Sequence, residues 1–335
     1  MNDQAPQGAH SRTRRHVPVL LEEAIQFLRI KPGGTYVDAT LGLAGHSLEI
    51  ARRLGPEGHL IAFDRDPEAI ETAEARFTEL RAELKDRMPR ITIHAEAFAG
   101  LAKRTEPQSL DGILADFGVS SLQLDTAQRG FSFQADAPLD MRMDPRSGAT
   151  AEQVVNQAGE EELANLIYEF GEERRSRRIA RAIVRARPVT TTAQLSRVVA
   201  SSAPAIKSDR IHPATRVFQA LRIHVNGELD QIAALLRVAP DMLRPAGRMV
   251  AISFHSLEDR IVKDAFREGR TSGIWQVLTP KPVTATEQEI RGNPRSRSAK
   301  LRAAERVTQP DSSGSKFERK PGMKPGRQKD KSLRR

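Results

Sequence analysis

The chain has 335 residues, enough for about two domains at roughly 150 residues each, with a net charge of +10, 29% charged and 39% hydrophobic residues. It contains no cysteine, which excludes a disulfide scaffold, a thiolate zinc site, an iron–sulfur cluster and any cysteine nucleophile. No apolar run approaches the roughly 20 residues needed to span a bilayer, so no membrane partner is expected and the sequence fits a cytoplasmic protein. The charge is uneven: residues 1–16 carry +2 and residues 311–335 carry +6, leaving +2 for residues 17–310. Both ends read as disordered basic segments, 1–16 an arm and 311–335 a tail rich in Pro, Gly, Ser and Lys. A basic tail suits nucleic acid, and serves equally as a solubility tail.

In chain order, Leu20, Leu21, Ala24, Ile25 and Leu28 recur at helical spacing. Pro32-Gly33-Gly34 stops that helix. A β-prone run over 35–40 leads into L-G-L-A-G-H-S and a second helix through Leu48, Ala51 and Leu54. Residues 59–63 predict a strand, 68–85 a helix, and 91–94 and 112–116 two more strands. Strands alternating with helices imply parallel βαβ units in an α/β sheet. The rhythm stops after Asp116. Residues 126–146 read as loop, and 150–205 as helices with capping-box spacing at Thr150–Gln153 and, more weakly, at Thr192–Gln194. A helix through Val217, Leu221 and Val225 and a strand over 247–254 resume the α/β pattern. The expected organisation is a sheet domain split into 17–125 and 210–310, interrupted by a helical insertion over 126–209. No internal repeat is visible.

Asp38-Ala39-Thr40-Leu41-Gly42-Leu43-Ala44-Gly45-His46-Ser47 joins a strand to a helix. Glycines there let the backbone approach a ligand, and the helix start offers free N–H groups. Asp64 closes the next strand, 19 residues after Gly45, where a carboxylate can accept from ribose hydroxyls. The loop has neither the G-x-G-x-x-G spacing of a dinucleotide site nor a Walker lysine. Asp38 ahead of it suits a cationic ligand such as S-adenosylmethionine (AdoMet) better than a pyrophosphate. The plainer alternative is a tight βα turn.

A second cluster, Asp116-Phe117-Gly118-Val119-Ser120-Ser121 with Gln123 and Asp125, lies at the end of the fourth strand, the edge at which open α/β sheets bind ligands. It reads equally as a polar loop with a satisfied cap. If the substrate is a nucleobase, the missing cysteine decides the chemistry. Methylation at carbon-5 of a pyrimidine requires a thiolate adduct. Methylation of an exocyclic amine requires only an acceptor for an amine N–H, a clamp on the base and an aligned methyl group. Asp116 and Phe117 are the candidate catalytic residues, the carboxylate as acceptor and the ring as a stacking surface.

The runs D-A-T-L-G-L-A-G-H-S, F-D-R-D, D-F-G-V-S-S-L-Q-L-D, G-F-S-F, L-D-M-R-M-D, H-P-A-T-R-V-F-Q-A-L-R-I-H-V-N-G-E-L, I-S-F-H-S-L-E-D-R-I-V-K and N-P-R-S-R-S-A-K-L-R occur in that order between about residues 16 and 306. Together they resemble the bacterial RsmH (MraW) methyltransferase family. The resemblance implies a Rossmann-like class I AdoMet-dependent methyltransferase core with an inserted all-helical, RNA-facing domain. It implies N4-methylation of cytidine 1402 in the decoding centre of 16S ribosomal RNA, on the assembled small subunit. The family's cofactor contacts fall on Ala44, Gly45, His46, Asp64, Phe98, Asp116 and Gln123. L-A-G stands where relatives often carry more glycine, and the basic tail lies outside the family pattern.

RNA-facing candidates are Arg295, Arg297, Lys300 and Arg302, in a basic run read as loop, and His255, which serves equally as a structural histidine. Seven arginines crowd residues 174–187. Glu161, Glu162, Glu169, Glu172 and Glu173 lie upstream, so a salt-bridged surface helix is as good a reading as a phosphate-binding one. The eight histidines show no metal-binding spacing, and no catalytic metal is expected. Sparse aromatics point to recognition of RNA shape and one flipped base, with no DNA partner. Oligomeric state is not legible. Two other functions stay open: AdoMet-dependent modification of a protein or small molecule, and RNA binding without turnover.

Overall fold

A computed structural model describes residues 18–203 and 212–307. The expected basic arm 1–16, the tail 311–335 and the expected return point at 210 lie outside the described residues. Among them no helix is long and apolar enough to cross a membrane.

The elements, in order, are α1 (Leu21–Leu28), β1 (Thr35–Asp38), α2 (Gly45–Leu54), β2 (His59–Phe63), α3 (Pro67–Leu84), β3 (Arg90–His94), α4 (Leu101–Arg104), β4 (Leu110–Asp116), α5 (Ser121–Asp125), α6 (Ala151–Gln157), α7 (Glu160–Gly171), α8 (Ser176–Arg185), α9 (Thr192–Ser202), α10 (Pro213–Asn226), α11 (Glu228–Met242), β5 (Leu243–Ser253), α12 (Ser256–Thr271), β6 (Trp275–Val277), α13 (Glu287–Gly292) and β7 (Lys300–Arg306). The strands form one sheet in the order β3-β2-β1-β4-β5-β7-β6. Strands β1 to β5 pair in parallel. Strand β7 runs antiparallel between β5 and β6.

Local chemistry explains the starts and stops. Asp66 caps α3 by accepting from the Glu68 N–H, and Pro67 supplies the preset first turn. Thr150 and Gln153 close a capping box on α6. The second box starts one residue earlier than the sequence suggested: Thr191 caps α9 with Gln194, because the motif needs two residues between its partners. Gly227, in the left-handed region at φ 58°, breaks α10 from α11. Strands β6 and β7 and helices α12 and α13 were not read from sequence. The β7 core, Leu301 to Ala304, is buried on both faces and has no alternating pattern.

Two hydrophobic clusters cover the two faces of the sheet, one gathering α1 to α3 and the other α11 and α12. A third belongs to the helices between β4 and β5. It includes Ala214, Val217, Phe218, Ala220 and Leu221 of α10. The helical unit therefore runs past the expected boundary at 209, because the apolar face of α10 packs on helices and not on the sheet.

Polar clamps join this unit to the sheet. Asn226 Oδ1 accepts from the Met143 N–H at 2.8 Å and its Nδ2 donates to the Met141 carbonyl. Arg65 donates to the Asn226 carbonyl. Arg129, only 8% exposed, is held by fully buried Asp66 at 2.9 Å and by the carbonyls of Arg142 and Met143. Arg129→Met leaves the Asp66 carboxylate buried without its cation. The expected loss is about 3–5 kcal/mol, read as a fall of several degrees in the thermal midpoint. An unchanged midpoint would show that the clamp is dispensable.

Candidate active site

A cavity of about 570 Å³ opens at the C-terminal ends of the strands, over the β1/β4 junction where the strand order reverses. One half is lined by the loop after β1, Asp64, Phe98, Asp116 and Gln123. The other half is lined by Arg222, Glu228, Gln231, Phe254, Glu258 and the segment 293–298.

The first half is assembled by backbone and buried acids. Asp38 does not line the cavity, contrary to the role expected from its sequence position. It is 1% exposed. Its Oδ2 accepts from Ser47 Oγ at 2.6 Å, and Oδ1 accepts from the Thr40 N–H at 3.1 Å. Burial raises its pKa, and these bonds oppose the rise. Thr40 Oγ1 accepts from the Asp116 N–H at 2.7 Å, tying β1 to β4. Ala44 caps α2 in the left-handed region, at φ 60°. Its methyl is buried in the sheet cluster, so the residue shapes the loop from behind. A Cβ on Gly45 would come within 2.3 Å of Pro18 Cγ.

Asp64 holds the loop by accepting from the Gly42 N–H at 2.8 Å. Its other oxygen accepts from the Asp66 N–H. Burial pushes its pKa up to about 6. Gln123 donates to Asp66 at 2.8 Å and accepts from the Ser120 N–H. Both ends of its amide are thus used within the protein, although it lines the cavity. Phe98 lies with its ring centroid 6.0 Å from that of Phe117. Phe117 is 3% exposed and packs in the sheet core. This corrects its expected role as a free stacking ring: it is part of the wall. Phe254 is the more exposed aromatic of the second half.

Asp116 sits where the halves meet. Its Oδ1 is buried without a hydrogen-bond partner. Its Oδ2 lies 3.6 Å from His46 Nδ1. His46 Nε2 donates to the Val19 carbonyl at 3.1 Å, so a neutral His46 presents Nδ1 as an acceptor towards Asp116. Burial, then the charges of Asp38 and Glu258, raise the Asp116 pKa well above its ordinary value. The carboxyl therefore resists ionisation.

Behind it lies a buried charge network. Arg222 makes two bonds to Glu228, at 2.9 and 2.8 Å, and its Nη2 lies 3.9 Å from Glu258. His255 Nε2 is 3.1 Å from Glu258 Oε1, poorly aligned for a hydrogen bond. Burial opposes ionisation of Glu258, but His255 and Arg222 bring its pKa below the usual value. Glu228, His255 and Glu258 present atoms within 4.8 Å of one another, close enough to hold a metal ion. The Arg222 guanidinium already supplies the positive charge there. His255 caps α12 behind the cavity wall.

The basic candidates divide. Arg295 and Arg297 line the cavity mouth, and Arg295 is paired with Asp125 at 2.6 Å. Arg302 is 7% exposed and held by Asp259 at 2.6 Å, and Lys300 reaches the same carboxylate at 3.2 Å. The run read as loop is strand β7 from Lys300 onwards, and its cations neutralise a partly buried acid. Sequence reasoning missed Thr40, Arg222, Glu228, Gln231, Phe254 and Glu258 as cavity residues. Of these, only Thr40 and the I-S-F-H-S-L-E segment lay within a motif beside a predicted strand end.

A parallel sheet with one reversed strand, β7, between β5 and β6, a glycine loop after β1 and acids closing β2 and β4 around one cavity define a Rossmann-like class I methyltransferase. The chain belongs to the MraW methylase family, whose model matches residues 13–307. It is 70% identical to the ribosomal RNA small subunit methyltransferase H of Acidobacterium capsulatum over 292 residues, covering 87% of this chain and 98% of the relative. The protein of the same name from Koribacter versatilis is 59% identical over 308 residues, covering 91% and 98%. That of Cyanothece sp. PCC 7425 is 50% identical over 294 residues, covering 87% and 95%.

The contact between Gly45 and Pro18 yields a test of the loop. Gly45→Ala is expected to displace Pro18 and destabilise the chain by about 1–3 kcal/mol, as overpacking does. Chemical denaturation measures it, and a midpoint equal to wild type would show that Pro18 yields freely.

Proposed function

We propose that the chain transfers a methyl group from AdoMet to N4 of cytidine 1402 in 16S ribosomal RNA, acting in the cytoplasm on the assembled small subunit. The observation that carries this reading is the unpartnered Asp116 Oδ1 at the junction of the two half-cavities, in a chain similar to small-subunit ribosomal RNA methyltransferases. The residues of the first half fit AdoMet. They offer bare backbone at Gly42 and Gly45, an acceptor for ribose hydroxyls at Asp64, an aromatic ring at Phe98 and no Walker lysine for a pyrophosphate. His46, Asp116 and Gln123 complete that half, with Ala44 supporting the loop and Gln123 bracing it.

When bound, AdoMet supplies an electrophilic methyl group. The protein orients the acceptor and handles its proton. Asp116 Oδ1 accepts one N–H of the cytosine amine, which directs the nitrogen lone pair along the transfer line. The amine nitrogen would gain the methyl carbon as the sulfonium–methyl bond breaks, leaving a neutral thioether, and must then release a proton. Asp116 takes it in its ionised form, which its raised pKa makes harder to reach but more basic once formed, with His46 Nδ1 placed beside the second oxygen. Without a cysteine, this amine chemistry requires no covalent adduct with the enzyme.

Labelled AdoMet and small subunits from cells lacking the protein test the reading directly. Label is expected in N4-methylcytidine after digestion; label in another nucleoside, or none in RNA, overturns it. Asp116→Ala is expected to lower turnover about 10²-fold or more with a smaller effect on AdoMet affinity. Full activity would remove Asp116 from the mechanism.

Asp64 gives a pH prediction. Its folded pKa is raised, so in the free protein the protonated form prevails below about pH 6. A ligand whose hydroxyls donate to the carboxylate favours the ionised form. AdoMet affinity should therefore rise with pH up to about 6 and level off above it. Calorimetry across that range checks it, and Asp64→Asn should flatten the rise.

A further inference from the structure

The upstream acids are largely spoken for by partners other than the arginines of α8. Glu173 holds Arg175 and Arg216, and Glu172 holds Ser256 and Arg260. Glu160 pairs with Arg181. Among the described residues, Arg177, Arg178 and Arg185 have no carboxylate within salt-bridge distance.

Their placement is ordered. At about 100° per residue, Arg177, Arg178, Arg181 and Arg185 fall within an arc of roughly 100° and span about 12 Å along the axis. All four are exposed. The opposite face, Ser176, Ile179, Ala180 and Ile183, is buried in the helical unit. Two of the four stand against their own helix. Arg177 and Arg178 occupy the first turn, the positive end of the helix dipole, where acids stabilise and cations destabilise. Helix α7 carries Glu160, Glu161 and Glu162 in its first turn, whereas α8 has no acid there. The folded chain gains nothing locally from this arrangement.

The stripe also has a position relative to the cavity. Just before α8, Glu172 is bonded to Ser256 and Arg260 of α12, two residues beyond the cavity-lining Phe254 in the first case. Arg295 and Arg297 line the cavity itself.

We infer that the exposed arginine face of α8 binds the phosphate backbone of the substrate RNA. The proposal rests on the RNA reading given above and adds a second, sequence-independent contact surface to it. Phosphates supply the negative charge that Arg177 and Arg178 lack among the described residues. Guanidinium groups match their geometry through paired N–H donors.

The test uses the full chain with Arg177→Gln, Arg178→Gln and Arg185→Gln combined, leaving the paired Arg181 in place. Binding to small-subunit ribosomal RNA is measured across a range of salt concentrations, with AdoMet affinity and thermal midpoint as controls for folding. A second triple, Lys85→Gln, Arg87→Gln and Lys103→Gln, removes the same charge near the β3 edge of the sheet. The α8 triple is expected to lower the salt slope by about two units, at roughly 0.7 per phosphate contact on single-stranded RNA, with AdoMet affinity unchanged. The β3-edge triple is expected to leave the slope near wild type. Equal loss in both triples would reduce the effect to net charge and overturn the assignment, as would an unchanged slope in the α8 triple. Binding of α8 to an acidic protein of the subunit instead would appear as lost affinity for whole subunits with unchanged affinity for naked RNA, and overturns it too. Absence of salt-dependent RNA binding by the wild type would instead defeat the RNA reading itself.

Discussion

Three carboxylates, buried Asp38 and Glu258 and partly buried Asp116, lie together at the C-terminal edge of the sheet, and much of the surrounding structure serves to make that tolerable. Buried acids resist ionisation, and like charges nearby increase the resistance. Each acid is handled differently. Asp38 is neutralised in effect by hydroxyl and backbone donors, so it becomes a structural pin between β1 and α2. Glu258 is kept ionised by Arg222 and His255. Asp116 receives no donor on Oδ1 and is left with the strongest upward pressure on its pKa. Glu258 Oε1 also lacks a hydrogen bond but faces the cations of His255 and Arg222, whereas the open oxygen of Asp116 has no such compensation among the causes of its pKa shift.

The same edge explains the loop. Gly42 and Gly45 bring backbone close to the cavity because Asp64 pulls on one and Pro18 packs on the other. Thr40 then fixes the distance between the loop and Asp116 with one hydroxyl. The β1 loop and the β4 end are thus one rigid unit. A shift in either would be felt by both halves of the cavity.

Much of this was legible in the sequence. The glycine loop, Asp64 and Asp116 are local signals, each within a few residues of a strand whose pattern is plain, and strand ends mark ligand sites in open α/β sheets. Asp38 was visible but misassigned, because sequence shows a carboxylate and not the Ser47 hydroxyl nine residues on that consumes it. Phe117 was misassigned for a similar reason: its burial depends on Phe98 and Ile232, contributed by distant segments. Arg302 read as a free cation because Asp259, its partner, stands on another element 43 residues away. Most of the second half of the cavity was hidden, Arg295 and Arg297 apart, since Arg222, Glu228 and Gln231 come from α10 and α11 and meet Asp116 only in three dimensions.

That distance in sequence has a structural consequence. Arg222 and Glu228 straddle the left-handed Gly227 that separates α10, a member of the helical core, from α11, which packs on the sheet. Their ion pair closes this corner. Arg222 also assists His255 in holding Glu258 charged, and Glu258 in turn is one of the charges that raise the pKa of Asp116. The packing of the helical unit is therefore tied to the protonation of Asp116 through three named side chains. A displacement of α10 that moved Arg222 away from Glu258 would lessen the charge on Glu258 and ease its pressure on Asp116. The helical insertion, on this geometry, is part of the electrostatics of the site as well as its wall.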